Sequence, residues 1–154
     1  MSEIVPTCRE DVTKRILQHK VVLQKKWRDL AEQLNQSVEW TVAACLGQMQ
    51  MNLEQSQAVA AYFQLNAQEC LWLQTIPHKN TLNGGTVPSD PLLYRLHEAL
   101  GVYGPALKEI IHEEFGDGIV SAIDFSIKVE RESDPAGDRC RLVWSGKFLP
   151  YKKF

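Results

Sequence analysis

Three polar side chains have the types and spacing that anion chemistry needs. Arg95 and Glu98 stand three residues apart in an amphipathic helical pattern, so they can contact each other on the helix surface. Ser121 interrupts the apolar face of the strand pattern that follows, where a buried hydroxyl needs a hydrogen-bond partner. A guanidinium, a carboxylate and a hydroxyl could together bind and orient an anion. No histidine is placed as a base for Ser121, which disfavours a nucleophilic serine.

Each of the three residues also has an ordinary explanation. Arg95 and Glu98 could form an exposed ion pair worth about a few tenths of a kcal/mol. Ser121 could relieve crowding near Gly118 at the start of the strand. Spacing alone therefore leaves both interpretations open, and the elements that carry these residues have to be considered.

The N-terminal half is helical throughout. Between Arg9 and Ile76, apolar residues recur at helical spacing and predict a bundle of about five short helices. Two of these helices are joined by residues 35–37, and Ser37 is expected to cap the second without a full capping box. Prolines and glycines then break the pattern over residues 77–90, which indicates a linker: Pro77, Gly84, Gly85 and Pro88.

Helical periodicity returns after the linker. Pro91 suits a first helical residue, with Asp90 or Ser89 as its cap. A second helix is expected to begin near Pro105 and to end at Gly116 in a left-handed conformation. These two helices would carry the apolar stripe of the C-terminal part inward.

The period then changes to two, which predicts a β-hairpin. The odd-numbered residues from Ile119 to Val129, Ser121 among them, are expected on one face of the first strand. Residues 134–137 form a strong turn signal before a second strand from Arg139 to Lys147. Because a lone hairpin is marginally stable, we expect it to pair or interleave with another subunit. The fold class is therefore α+β.

Charge and composition exclude several classes of function. The 154-residue chain has 17 basic and 19 acidic residues, so no whole-protein field would attract nucleic acid or an anionic membrane. No apolar run is long enough to span a membrane, and residues 1–6 lack the pattern of a signal peptide, which favours the cytoplasm. The four cysteines form no metal-binding or disulfide pattern, and we expect reduced, buried thiols.

The middle helix pair raises the alternative of a DNA-binding regulator. Its spacing is typical of a repressor-like helix-turn-helix. However, no lysine or arginine occurs between Arg28 and Lys79, whereas acidic residues do. Duplex binding draws much of its affinity from neutralised phosphates, so DNA binding by this bundle is disfavoured.

A catalytic metal is also disfavoured. His112 and Glu113 begin like a zinc-protease helix, but no second histidine follows four residues after the first. His97 lies next to the arginine–glutamate pair and could tune it, although a surface or interface histidine is the simpler interpretation.

Two segments carry a resemblance to a known family. Residues 90–98, with the sequence DPLLYRLHE, and residues 115–125, with the sequence FGDGIVSAIDF, closely resemble the C-terminal domain of cyanase, or cyanate hydratase. The similarity extends weakly over the helical half, more clearly over residues 73–77, and again over residues 146–150.

This resemblance implies that Arg95, Glu98 and Ser121 are catalytic. It implies bicarbonate-dependent decomposition of cyanate to ammonia and carbon dioxide by way of carbamate, without a metal or organic cofactor. It further implies a helical N-terminal domain related to repressor folds and an intertwined C-terminal dimer. Together with the charge count and the linker pattern, this predicts a repressor-like, non-DNA-binding bundle over residues 1–76, a linker over 77–90, and a catalytic and dimerisation domain over 91–154. The assembly would be a homodecamer of five intertwined dimers. The sequence departs from relatives at His97, where an aromatic is common, and at Thr81, where some carry a cysteine.

Overall fold

The chain consists of six helices followed by a two-stranded antiparallel hairpin, and is thus α+β. A computed structural model describes residues 8–79 and 86–152. The bounds of the elements are α1 Arg9–Val22, α2 Trp27–Leu34, α3 Val38–Cys45, α4 Leu53–Phe63, α5 Ala67–Leu73, α6 Pro91–Phe115, β1 Gly118–Glu132 and β2 Arg139–Pro150. The chain divides into two compact units, one up to Ile110 and one from Ile111. Thr81 and the two linker glycines lie outside the described residues.

The five-helix bundle predicted for the N-terminal half is confirmed as α1 to α5. Its centre is aromatic, with the Trp27 and Phe63 rings edge to face at 5.7 Å between centroids. Ala106 and Ile110 of α6 pack into the same core, which attaches this helix to the bundle within the first unit. Among the described residues, the other fully buried apolar side chains are Val12, Ile16, Leu30, Val42, Ala43, Ala44, Cys45, Met51, Val59 and Leu73.

Side-chain caps define where several helices begin. Ser37 Oγ accepts a hydrogen bond from the Trp40 N–H at 3.1 Å, as predicted for α3. Asn52 and Asn66 begin α4 and α5 with full capping boxes. Asp90 Oδ1 accepts from the N–H groups of the second and third residues of α6 at 3.0 and 2.9 Å, which fixes the predicted start at Pro91.

The prediction of two C-terminal helices is wrong, because α6 runs without interruption through Pro105. Proline removes one N–H, and the carbonyl left without that donor is the one of Gly101. On the far side of Pro105 the apolar spacing continues, and both Ala106 and Ile110 are buried in the bundle core. Their burial offsets the cost of one lost hydrogen bond, so the helix continues instead of ending.

The second unit contains the end of α6 and the hairpin. Gly116 ends the helix with φ of 84°, in the left-handed conformation expected for it. The predicted turn forms, with the Gly137 N–H donating to the Asp134 carbonyl at 3.0 Å. β2 extends to Pro150, three residues beyond the predicted end at Lys147.

Much of the apolar surface expected inside is exposed in the single chain. On α6 this concerns the leucine stripe, and on the hairpin the apolar side chains of both strands: Leu92, Leu93, Leu96, Leu100, Ile127, Val129, Leu142 and Trp144. The prediction that the cysteines are buried holds only for Cys45, since Cys140 is exposed and Cys8 and Cys70 are half-buried. None of the described helices has the length and hydropathy needed to cross a membrane.

Candidate functional site

Arg95 and Glu98 are brought together on the first half of α6. Arg95 Nη1 donates to Glu98 Oε2 at 2.7 Å, so the two residues, about one helical turn apart, form the predicted pair as a direct ion pair. Both side chains reach solvent, with exposed fractions of 72% for Arg95 and 44% for Glu98. The guanidinium therefore has one nitrogen anchored, while its remaining N–H donors face outward.

The electrostatics of the pair keep the arginine cationic. The hydrogen bond to Glu98, followed by the attraction of its charge, raises the pKa of Arg95 above its ordinary value. The Arg95 guanidinium also lies 5.3 Å from the centre of the Tyr94 ring, a contact that favours the same cation. An anion that approached this part of α6 would meet a permanent positive charge with free donors in a planar fork.

Ser121 belongs to the second unit, where it is buried on β1 with 9% of its surface exposed. Its Oγ accepts hydrogen bonds from the backbone N–H groups of Ile123 at 3.1 Å and Asp124 at 3.0 Å. The expectation that this hydroxyl needs a partner is therefore confirmed. Because both contacts use the oxygen as an acceptor, the hydroxyl hydrogen is left to donate elsewhere.

A large bulge surrounds Ser121. Val120 pairs with Phe148 and Phe125 pairs with Gly146, so residues 121–124 of β1 lie opposite Lys147 alone. Directly opposed residues share a face of the sheet, hence Val120, and not Ile119, is on the face of Phe125. The alternation predicted from Ile119 to Val129 is wrong across this bulge. The sequence did carry a signal, because a glycine inside a strand pattern often marks a bulge or a close backbone approach.

Neither His97 nor His112 is a partner in the hydrogen bonds just described for Arg95, Glu98 and Ser121. His97 is half-buried on α6 between the two residues of the ion pair in sequence. His112 Nε2 lies 3.3 Å from the Gly118 carbonyl oxygen, a contact between the end of α6 and the start of β1. Within residues 8–79 and 86–152, no group of three or more histidine, cysteine or acidic side chains is arranged to hold a metal ion.

The fold and these groups define an α+β protein with polar side chains suited to anions. Two family models match the chain: "Cyanate hydratase, N-terminal" over residues 9–77 and "Cyanate lyase C-terminal domain" over residues 85–153. The chain thus belongs to the cyanate hydratase, or cyanate lyase, family, as the resemblance in residues 90–98 and 115–125 implied.

Individual relatives agree over nearly the full length. The chain is 51% identical over 146 residues to the cyanate hydratase of Variovorax paradoxus, covering 95% of this chain and 99% of that protein. The cyanate hydratase of Methylobacillus flagellatus matches with the same identity and coverage. The crystal structure of cyanase from T. urticae is 33% identical over 91% of this chain and 97% of that chain, with a TM-score of 0.40. That superposition is loose, so the family assignment rests on the sequence matches.

Proposed function

We propose that this chain catalyses the bicarbonate-dependent decomposition of cyanate to ammonia and carbon dioxide, through Arg95, Glu98 and Ser121. Family membership over almost the whole chain supports the reaction class. The observation that carries the assignment of the site is the outward-facing Arg95 guanidinium, anchored by Glu98 through a single 2.7 Å contact. It offers free, charged donors to an anionic substrate.

The chemistry joins two anions. An oxygen of bicarbonate attacks the cyanate carbon and forms a carbon–oxygen bond, which gives a dianionic adduct. The adduct loses carbon dioxide and takes up one proton, which leaves carbamate. Carbamate takes up a second proton and breaks its carbon–nitrogen bond, which gives ammonia and another molecule of carbon dioxide. Each cyanate thus consumes one bicarbonate and two protons.

Arg95 has the chemistry that this sequence of steps needs most. Two anions repel each other, and the adduct gathers both charges on oxygens that a planar guanidinium can bind in bidentate fashion. Donors that are already oriented stabilise such charge without reorganisation during the reaction. We therefore assign Arg95 to binding the anions and stabilising the adduct.

Glu98 and Ser121 have supporting roles in this proposal. Glu98 holds the guanidinium through the ion pair, and proton shuttling is its alternative role. Ser121 orients a substrate oxygen as a hydrogen-bond donor, since its oxygen already accepts from two backbone N–H groups. A nucleophilic role for Ser121 remains disfavoured, because its deprotonation would need a base and neither hydrogen bond of its hydroxyl provides one.

We further propose that the active site is completed by neighbouring chains. One arginine compensates poorly for a dianion when Glu98 lies beside it, so at least two copies of Arg95 would serve one site. A homodecamer of five intertwined dimers would provide this arrangement, and the exposed apolar side chains of α6 and the hairpin would be covered by it. In this proposal the N-terminal bundle is repressor-like but does not bind DNA, and the domain over residues 91–154 carries catalysis and dimerisation. The reaction requires no metal or organic cofactor, and the protein acts in the cytoplasm.

Ammonia release from cyanate tests the proposal directly. Wild type, Arg95→Ala and Arg95→Lys are assayed with and without bicarbonate, and with a chelator present. The proposed reaction predicts ammonia only with bicarbonate and no effect of the chelator. With ¹³C-bicarbonate and unlabelled cyanate, each ammonia should be accompanied at early times by one labelled and one unlabelled molecule of carbon dioxide. Ammonia release without bicarbonate, or release of unlabelled carbon dioxide alone, would instead indicate simple hydrolysis of cyanate. No ammonia at all would refute the proposal that this chain is an enzyme acting on cyanate.

DNA binding is the second function considered, and it is not favoured. The helix α3, which would be the recognition helix of the pair, lies inside the stretch between Arg28 and Lys79 that has no lysine or arginine, and α2 contains only Arg28. A recognition surface without cations cannot release the counterions that drive duplex binding.

A further inference from the structure

The hairpin leaves no room for a side chain at Gly146, which lies beside Ser121 on the neighbouring strand. A Cβ placed on Gly146 would lie 2.5 Å from Val120 Cγ1 and 2.7 Å from the Ser121 carbonyl oxygen. It would also lie 3.1 Å from a ring carbon of Phe125. Cβ atoms in proteins essentially never come within 3.0 Å of another heavy atom, so any side chain at this position would push the strands apart.

The requirement for glycine at this position is steric. Gly146 has none of the left-handed backbone conformation that distinguishes Gly137, whose φ is 126°. Conversely, a Cβ on Gly137 would meet nothing within 4 Å. Gly137 and Gly146 therefore have different reasons to be glycine, and they form a matched pair for an experiment.

The close approach occurs where the bulge positions the serine. Gly146 pairs with Phe125, the first residue after the four-residue bulge, and its missing Cβ faces the Ser121 backbone. Within the bulge, Ser121 Oγ is held by the N–H groups of Ile123 and Asp124. A shift of the Ser121 carbonyl would move these donors as well, because all lie within four consecutive residues.

We propose that Gly146 is a positioning residue for Ser121. By having no side chain, it lets β2 lie against the bulge of β1, which fixes the Ser121 oxygen as an acceptor of two backbone N–H groups and leaves its hydrogen to donate to an anionic substrate oxygen. The inference rests on the proposed function of Ser121. It adds a residue that touches no substrate but determines where the donor is.

The test is a double-mutant cycle with Gly146→Ala and Ser121→Ala in the full-length protein, with bicarbonate-dependent ammonia release as the readout. In the presence of Ser121, Gly146→Ala should lower kcat/KM roughly tenfold to a hundredfold, since a misplacement of about 1 Å can cost that much. On the Ser121→Ala background the same change should alter kcat/KM by less than about threefold, because a missing hydroxyl cannot be misplaced further.

Gly137→Ala is the matched control. Alanine is strained at its positive φ, so this variant should lose thermal stability while its kcat and KM stay those of the wild type. The double variant Val120→Ala with Gly146→Ala removes the closest contact and retains the clash with the Ser121 carbonyl. It should fold even if Gly146→Ala alone does not, and it should remain slow.

The outcomes separate this inference from the proposed function. If wild type does not turn over cyanate, or if Ser121→Ala is fully active, the proposed function of Ser121 is wrong. If Ser121→Ala is slow but Gly146→Ala is fully active, the positioning role alone is wrong. Equal losses from Gly146→Ala in both backgrounds would also overturn it. Failure of both Gly146 variants to fold would make the glycine a folding requirement and likewise refute the positioning role.

Discussion

Arg95 keeps its charge throughout the range of pH in which the protein can work. Its pKa is raised by the hydrogen bond and the charge of Glu98, so the cation is stabilised, and it would be lost only in strong alkali. Because the Arg95–Glu98 pair is exposed, its contribution to the free energy of folding is small, and its geometry matters more for anion binding than for stability. Changes at these two residues should therefore affect catalysis with little effect on unfolding.

Arg95→Lys separates charge from shape. Lysine retains the positive charge but not the planar fork, so bidentate binding of the adduct is lost. We expect kcat/KM to fall by about a hundredfold, which is the usual cost of removing an oriented donor to a developing oxyanion, and by more in Arg95→Ala. The pH–rate profile of the wild type should contain no step from Arg95. Equal activity of the lysine variant and the wild type would show that charge alone suffices.

Glu98→Gln distinguishes the two roles considered for Glu98. The amide oxygen of glutamine can still accept the hydrogen bond from Arg95 Nη1. If Glu98 only holds the arginine, kcat/KM should stay within about tenfold of the wild type, because an exposed ion pair is weak. A larger loss in ammonia release, together with a changed pH–rate profile, would assign proton transfer to Glu98.

Cys45, unlike the exposed Arg95, is fully buried, and its ionisation makes the stability of the fold depend on pH. Complete burial in the bundle raises the pKa of this thiol from 9.0 to about 12. A raised folded-state pKa means that the neutral thiol stabilises the fold below pH 9.0, and that this contribution is lost as the pH rises towards about 12. Thermal unfolding measured over this range should show a smaller alkaline loss of stability in Cys45→Ala than in the wild type. Parallel losses in the two proteins would contradict this.

The elements were predictable to the extent that local chemistry determines them. Periodicity and the caps at Ser37 and Asp90 were sufficient for most helix positions, and the turn before β2 follows from its own residues. Pro105 was misleading, because the gain from burying Ala106 comes from the bundle, which is distant in sequence. The bulge at Ser121 depends on space left by Gly146 on the other strand. Such pairwise constraints are not contained in the period of either strand.

The cap of α6 is a prediction at this scale. Asp90→Ala removes the acceptor for two N–H groups at the start of the helix that carries Arg95. Loss of a side-chain cap costs about 1 kcal/mol, so the temperature of unfolding should fall at a fixed protein concentration. Asp90→Asn is the control, since asparagine caps nearly as well, and it should unfold close to the wild type. Equal destabilisation by both changes would assign the effect to the charge of Asp90.

For the whole molecule, the exposed apolar side chains are the feature that the single chain leaves unexplained. Ile127 and Trp144 are paired across the hairpin and are both about half exposed, at 52% and 54%. An isolated two-stranded hairpin gains little stability of its own, and large apolar patches usually mark an interface. If neighbouring chains complete the active site, covering this surface and gaining activity should be one event.

Ile127→Glu tests that coupling. A charge on the apolar face of the hairpin would have to be buried in the assembly, and a desolvated unpaired charge costs on the order of several kcal/mol. We therefore expect a smaller species by light scattering and a loss of at least about tenfold in the rate of ammonia release. Lys128→Glu, the adjacent residue on the opposite face, is the matched control and should preserve both mass and activity. The helical bundle, which has its own core, should stay folded in both variants by circular dichroism. A smaller Ile127→Glu species with full activity would refute a site shared between chains, because Arg95 of one chain would then suffice for the dianion.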